Sequence, residues 1–376
     1  MKICYVADGT SIHTQRWINY FARKGHEIHL ICWKLMPGYD KSVHIHLLTK
    51  LAPKIWAVSQ YISFLFWIVQ VRRLVRKIRP DIVDGHFITV YGFLAACSGF
   101  HPLVVSAWGS DVLVQPKRNP LSKFTAKYAL KKADIIICLF PIDIAKEQIT
   151  ELGIDSNKIR TVLLGVDTTE FNPSHRDEKI RRTLGVERSQ PVVISTRTLA
   201  PIYDVETLLK AIPLVLAEIP QAKFVIAGTG QQQGYLRELA RVQGVSNSTK
   251  FIGWVPRTEL PKYLSSADIY VSSSLSDGTS NSLLEAMACG LSPIVTDIPA
   301  NQTWINDGKN GFLFPTRDYK TLASKIIYLL NNEETRENFS RRSQEIVQKK
   351  AEQQTEMKKL ERIYHELVEP NSILRK

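Results

Sequence analysis

No cysteine in this chain stands in C-x-x-C spacing with another, and only five occur in 376 residues: Cys4, Cys32, Cys97, Cys138 and Cys289. All but Cys289 lie in or beside apolar, strand-like runs, which argues against a disulfide framework or a thiolate metal site and for buried thiols in a reducing compartment. The opening MKICYVADG lacks the long apolar region of a signal peptide, so a cytosolic location is expected. Low-complexity tracts are missing too, and 44% apolar with 23% charged residues fits an ordinary folded protein. Acidic residues are absent from 41–80 and again from 112–133, so the first half carries the basic surface behind a net charge of +13. Such a surface attracts nucleic acid, a membrane face or a phosphorylated substrate. No nucleic-acid module accompanies it, so nucleic acid is not an expected partner.

What is present is a repeating alternation. A chain of this length exceeds the size at which one core stops growing, which predicts two domains. Short β-branched runs alternate with helix-like segments, the pattern of parallel sheets with crossover helices. The first half predicts strands at Ile3–Ala7, Glu27–Trp33, Ile82–Phe87, Leu103–Trp108, Ile135–Phe140 and Arg160–Leu164. The second restarts with Pro191–Thr196, Lys223–Ala227, Lys250–Gly253, Ile269–Ser273 and Pro293–Thr296. Residues 164–186 lose the apolar run and read as a linker. The expected fold class is α/β, two Rossmann-like doubly wound domains facing a cleft, at 1–172 and 173–354. A helical C-terminal tail follows, with a helix at about 355–370 packing back on the first domain.

Ligands of open parallel sheets bind beyond the carboxyl ends of the strands. The most informative such loop is SSSLSDGTSNSLLEAMACGLSPIVTD, residues 272–297. Ser280, Asn281 and Ser282 suit the first turn of a helix, whose free N–H groups and macrodipole make a phosphate site. Gly278 lets a diphosphate approach the backbone, and Thr279 lies beside it. Asp277 and Glu285 flank that helix start, and a carboxylate can accept two neighbouring sugar hydroxyls. Spacing alone leaves a second reading open, a capping Asp and a solvent-facing Glu. The run A227-G228-T-G230-Q-Q-Q-G234 departs from a dinucleotide fingerprint by one residue and reads as a tight turn. No metal cluster or nucleophilic triad is legible.

The block D277-G-T-S-N-S-L-L-E285-A-M-A-C-G resembles the signature of family 4 retaining glycosyltransferases, two acidic residues separated by seven, on a GT-B fold. The resemblance extends through H13-T-Q-R-W-I-N-Y-F-A-R-K-G-H, G165-V-D-T-T-E-F-N-P, F251-I-G-W-V-P and N310-G-F-L-F-P. It implies that Asp277 lies by donor-sugar hydroxyls and that Glu285 binds the ribose. Asp277 departs from the Glu usual there. It also implies that Arg197 grips the leaving diphosphate, while the family's second cation is replaced by Tyr203. Gly9 and His13 match the first-domain donor loop, and Gly228 and Val255 fall on the donor side. Where relatives often carry a second His, this chain has S106-A-W108-G-S-D111, so Trp108 and Asp111 are the catalytic-loop candidates beside Asp277 and Arg197. His86 reads as structural.

The implied activity is retaining hexosyl transfer from a nucleotide diphosphate sugar, UDP foremost, to a membrane-held, lipid-linked saccharide, with no cofactor and no metal. A nucleotide-sugar epimerase on the same fold and an inactive sugar-nucleotide binder are the alternatives. Residues 55–71 carry no charge and are followed by Arg72, Arg73, Arg76, Lys77 and Arg79. At 1.5 Å per residue this run reaches only about 25 Å, too short to span a bilayer. On a helix Ser59, Gln60, Ser63 and Gln70 share one arc, and the rest is apolar. That suggests peripheral attachment to an anionic membrane, with Phe64 and Trp67 inserted and Lys117, Arg118, Lys123, Lys127, Lys131 and Lys132 adding charge. A core crossover helix is the other reading.

Overall fold

The computed structural model describes residues 1–49, 56–140 and 142–369. The chain divides into two compact units, Met1–Leu164 together with Thr355–Lys376, and Gly165–Gln354.

The first unit is built on a seven-stranded sheet of order β3-β2-β1-β4-β5-β6-β7. Its strands are β1 (Lys2–Val6), β2 (Glu27–Cys32), β3 (His44–Leu47), β4 (Ile82–His86), β5 (Leu103–Ala107), β6 (Ile135–Cys138) and β7 (Ile159–Thr161). Every pairing is parallel. Both faces are covered, which is why most inner strands read as continuous apolar runs and not as alternating ones; β4 is buried throughout yet carries Asp84 and His86. Ile3 and Tyr5 enter a core with Trp17, Phe21, Leu360 and Tyr364. Cys4 and Val6 enter the opposite one with Val71, Val75 and Leu94.

The C-terminal helix Gln353–Val368 belongs to the first of these cores through Met357, Leu360, Ile363 and Tyr364. Its polar groups are used as well: Glu356 accepts the Leu163 N–H at 2.8 Å, and the Tyr364 hydroxyl donates to buried Asp84. The five thiols are free and, Cys97 apart, buried.

The second unit holds a six-stranded sheet of order β10-β9-β8-β11-β12-β13. Here the strands are β8 (Val192–Ser195), β9 (Lys223–Ala227), β10 (Thr249–Gly253), β11 (Ile269–Ser272), β12 (Ser292–Thr296) and β13 (Phe312–Phe314). Again all pairs are parallel. Gly165 opens the unit with a φ of +65°, and a Cβ there would stand 2.8 Å from the Ala351 carbonyl, so backbone packing demands a glycine at this position. Each unit is a Rossmann-like doubly wound sheet, with its strand order reversing at β1/β4 and at β8/β11.

The sequence reading missed β3 and β13. Both are short edge strands: His44–Leu47 has only two apolar residues, and Phe312–Phe314, though apolar, is too short a run to signal a strand. The helix Trp56–Ile78 also departs from expectation. Phe64 and Trp67, read as membrane-inserting, are partly buried against the core. Phe64 stacks on Phe93 at 5.6 Å, and the Trp67 indole packs on Trp33 at 4.8 Å while donating to the Thr49 carbonyl at 3.1 Å. Crossover helices are apolar toward their sheet, and that side won these two residues. The outward positions are Leu65 and Val69, 64% and 43% exposed. The side chains of Ser59, Gln60 and Ser63 lie outside the described residues. No helix among the described residues is long and apolar enough to cross a membrane.

Candidate active site

Strands β8 and β11 are neighbours at the point where the second sheet reverses order, so the loops leaving them diverge and open a crevice. The β11 loop ends in the helix Asn281–Ala288, where Ser280 is the N-cap and accepts the Leu283 N–H at 3.4 Å. The β8 loop carries Arg197, which is almost wholly buried.

The Arg197 guanidinium ties the two loops together. One terminal nitrogen donates to Ser280 Oγ and to Ser282 Oγ, both at 2.7 Å, and the other to Asp277 Oδ2 at 2.6 Å. Its flat face lies over the Tyr203 ring at 4.2 Å. The Tyr270 hydroxyl donates to Ser282 Oγ at 2.9 Å, which fixes that serine from below. Burial works against the charge of Arg197, but Asp277, Tyr270 and Tyr203 outweigh it and its pKa is raised. The Arg197 Nε and the Thr279 hydroxyl are buried donors without a hydrogen-bond partner, and the Asn281 side-chain oxygen is likewise unpartnered. Buried orphan donors at a helix N-terminus suit an anion with several oxygens. Gly278 donates its N–H to Asp277 Oδ1 at 2.9 Å and so orients that carboxylate.

Glu285 lies one turn further along the helix and is buried. Arg257, a residue the sequence reading did not single out, donates to Glu285 Oε1 at 2.8 Å and to Glu170 Oε2 at 2.9 Å. Its guanidinium also covers the Phe171 ring at 4.6 Å. The only signal in the sequence was its place after F251-I-G-W-V-P, too generic to assign a partner.

Gly228 is where backbone meets backbone: a Cβ there would fall 2.2 Å from the Arg197 carbonyl, and its φ is +138°. The A227-G-T-G230 run is thus a tight turn that holds the Arg197 loop in place, with Leu199 N–H donating to the Thr229 carbonyl at 3.0 Å. Val255 is half-buried in the loop leaving β10, beside Trp254, whose ring is 70% exposed.

In the first unit, Gly9 follows β1. Its missing side chain makes room for the Lys34 carbonyl, 2.3 Å from where a Cβ would be. His13 lies in the first turns of the Ile12–Arg23 helix and faces Trp108 at 5.9 Å between ring centroids. Trp108 packs among Trp17 and His86, with its indole nitrogen buried and unpartnered. His86 is buried with its Nε2 3.5 Å from Asp84, and neither of its ring nitrogens has a hydrogen-bond partner.

Asp111 is fully buried and serves the backbone. Oδ1 accepts the N–H groups of Trp108 and Gly109, each at 2.9 Å, and Oδ2 accepts that of Ile88 at 2.8 Å. Burial pushes its carboxyl up to about 6 even against three N–H donors. This geometry makes Asp111 a positioning residue for the Trp108 loop and gives it no open face for a substrate. Asp111→Ala orphans three buried N–H groups at about 1–3 kcal/mol each, so a stability loss of about 3 kcal/mol or more is expected in urea unfolding. A variant as stable as the parent would remove that role.

Beside Gly9 a cavity of about 350 Å³ is lined by Asp8, Thr10, Trp33, Lys34, Trp67 and Tyr91. These residues leave β1, β2 and β4 or sit on the Trp56–Ile78 helix, so the cavity lies at the reversal point of the first sheet.

Known proteins resemble this chain over most of its length. The family described as Glycosyl transferase 4-like matches residues 2–139, and Glycosyl transferases group 1 matches residues 176–346. The UDP-Gal:α-D-GlcNAc-diphosphoundecaprenol α-1,3-galactosyltransferase of Escherichia coli is 26% identical over 80% of this chain and 79% of its own length. The N-acetyl-α-D-glucosaminyl L-malate synthase of Bacillus anthracis is 22% identical over 92% of this chain and 91% of its own length. Against several other curated relatives the chain spans only about half of their length. Anabaena HepE, solved in complex with UDP-glucose, superposes with a TM-score of 0.80 at 17% identity, covering 98% of this chain and all of HepE. With both units matched by the two glycosyltransferase families, and both built as Rossmann-like sheets, the chain belongs to the group 1, family 4 glycosyltransferases of GT-B fold.

Proposed function

We propose that this glycosyltransferase takes a sugar from a nucleotide diphosphate donor, UDP foremost, and passes it with retention of configuration to a lipid-linked saccharide at a membrane surface. The observation that carries the donor half is the Arg197 node: a buried cation clamped to a helix N-terminus, with orphan donors beside it and a carboxylate at either end of the turn. Arg197, the Thr279 hydroxyl and the first-turn N–H groups hold the diphosphate, on which negative charge grows as the sugar leaves. Asp277 accepts from sugar hydroxyls, Glu285 from the ribose, and Trp254 and Val255 border the base. The departing phosphate oxygen takes the proton of the acceptor hydroxyl on the same face of the sugar, so no side-chain base is needed. The enzyme contributes position and charge.

The donor is tested by thermal shift against nucleoside diphosphates and their sugars. A bound donor at a hundred times its dissociation constant adds about 2.7 kcal/mol of stability. Turnover only with a lipid-linked acceptor supports transfer. Consumption of the sugar nucleotide without acceptor identifies an epimerase, and tight binding without turnover across an acceptor panel an inactive binder.

The acceptor half rests on the first unit. Leu65 and Val69 on one helix, and Leu121 and Phe124 on the helix Pro120–Lys132, are exposed apolar residues, the latter two at 59% and 60%. Phe93 joins the two helices, stacking on Phe64 and meeting Phe124 at 6.4 Å. Arg72 and Arg73 on the first helix, Lys123 and Lys127 on the second and Lys117 just before it are also exposed. Such a surface suits shallow insertion into an anionic bilayer, and the aromatic cavity beside Gly9 would receive the saccharide head. Leu65→Asp and Phe124→Asp each remove about 1.5–3 kcal/mol of apolar burial, so vesicle partitioning should fall tenfold or more. Sedimentation with anionic vesicles that ignores both substitutions and salt would overturn the membrane reading.

A further inference from the structure

Strands β2 and β3 bring together four side chains that sequence alone keeps apart. Alternate residues of a strand share a face, and the parallel register sets His29 opposite His44 and Ile31 opposite His46. Glu27, His29, His44 and His46 therefore stand on one face at the open edge of the first sheet. The ligand atoms of Glu27, His29 and His44 all lie within 4.8 Å of one another. We propose that these three residues form a site for one divalent transition-metal ion of the zinc class, with His46 behind it as an orienting residue.

The geometry suits that ion. His29 Nε2 and Glu27 Oε1 are 3.1 Å apart. Two donors about 2.0–2.1 Å from a tetrahedral zinc stand about 3.3 Å apart, so this pair needs almost no movement. His29 is nearly buried, and its other nitrogen, Nδ1, meets His46 Nε2 at 2.9 Å. A proton held on Nδ1 and donated to His46 leaves the Nε2 lone pair for the metal, the arrangement by which an outer partner fixes a ligand's tautomer. His44 stacks on His29 at 4.8 Å and is exposed, so it can swing onto the ion and admit it from solvent. Two imidazoles and a carboxylate favour zinc or its neighbours over magnesium or calcium. Lys2, 3.1 Å from Glu27, competes for the carboxylate, and Lys77 adds positive charge near His46. The bound ion would cross-link the short edge strand β3 to β2. It lies outside the donor site and does not rest on the proposed function.

The test uses the untagged full chain, stripped with a chelator and titrated with Zn²⁺ by calorimetry and with Co²⁺ by visible absorption. One equivalent should bind, with tetrahedral Co²⁺ bands and a rise in melting temperature. His44→Ala should weaken binding at least tenfold and abolish the bands. His46→Ala should weaken it about 10–100-fold, as loss of an outer partner does, with His46→Gln in between. Lys2→Gln should tighten it. No saturable binding, or equal affinity in the parent, His44→Ala and Glu27→Gln, overturns the proposal.

Discussion

Arg197→Ala is expected to lower kcat/KM by about 100- to 1000-fold, the loss typical of removing one preorganised group from the place where charge develops. The reason is specific to this node. Arg197 satisfies Ser280, Ser282 and Asp277 at once, and its removal leaves the Asp277 carboxylate largely enclosed with no cation. The variant should therefore also melt earlier, and circular dichroism must show that it remains folded at the assay temperature. Arg197→Lys keeps the charge but lacks the fork that reaches three oxygens, so an intermediate rate is expected. Tyr203→Phe keeps the ring that lies against the guanidinium and should cost little. Tyr203→Lys, which restores the family's usual cation, would in this structure lose that ring and set a like charge beside Arg197. Full kcat/KM in folded Arg197→Ala would end the diphosphate assignment.

Glu285→Ala should raise the dissociation constant for the nucleoside diphosphate about 10- to 100-fold, since a hydrogen bond to a charged acceptor is worth about 1.5–3 kcal/mol. If the ribose is the partner, 2′-deoxy and 3′-deoxy nucleotides should bind the parent more weakly but lose little more in the variant, the signature of a shared interaction. Arg257 gives a second handle. Because it holds Glu285 at 2.8 Å while also holding Glu170, Arg257→Ala should weaken nucleotide binding less than Glu285→Ala and leave kcat near the parent value. Unchanged nucleotide affinity in Glu285→Ala would place the ribose elsewhere. Asp277→Ala is expected to damage recognition of the nucleotide sugar more than that of the nucleotide, which competition assays with both ligands would show.

The sequence by itself determined the two doubly wound sheets, because most central strands are apolar, largely β-branched runs buried on both faces, and such runs are visible one at a time. It also placed the helix start at Ser280 and the carboxylates of Asp277 and Glu285 near it, since an N-cap and its neighbours are local in the chain. Only the tertiary structure decided which groups meet. Arg197 reaches Ser280 and Asp277 across some eighty residues, and Arg257 reaches back to Glu170 and forward to Glu285. No periodicity encodes a contact between loops leaving different strands. Burial was equally hidden: Asp111, a candidate for chemistry on its loop position, is enclosed by three N–H groups, and Phe64 and Trp67 turn inward while Leu65 and Val69 turn out. The H44-I-H-L strand carried too little apolar surface to declare itself, so the imidazole face it builds with Glu27 and His29 exists only once strand order and register are fixed.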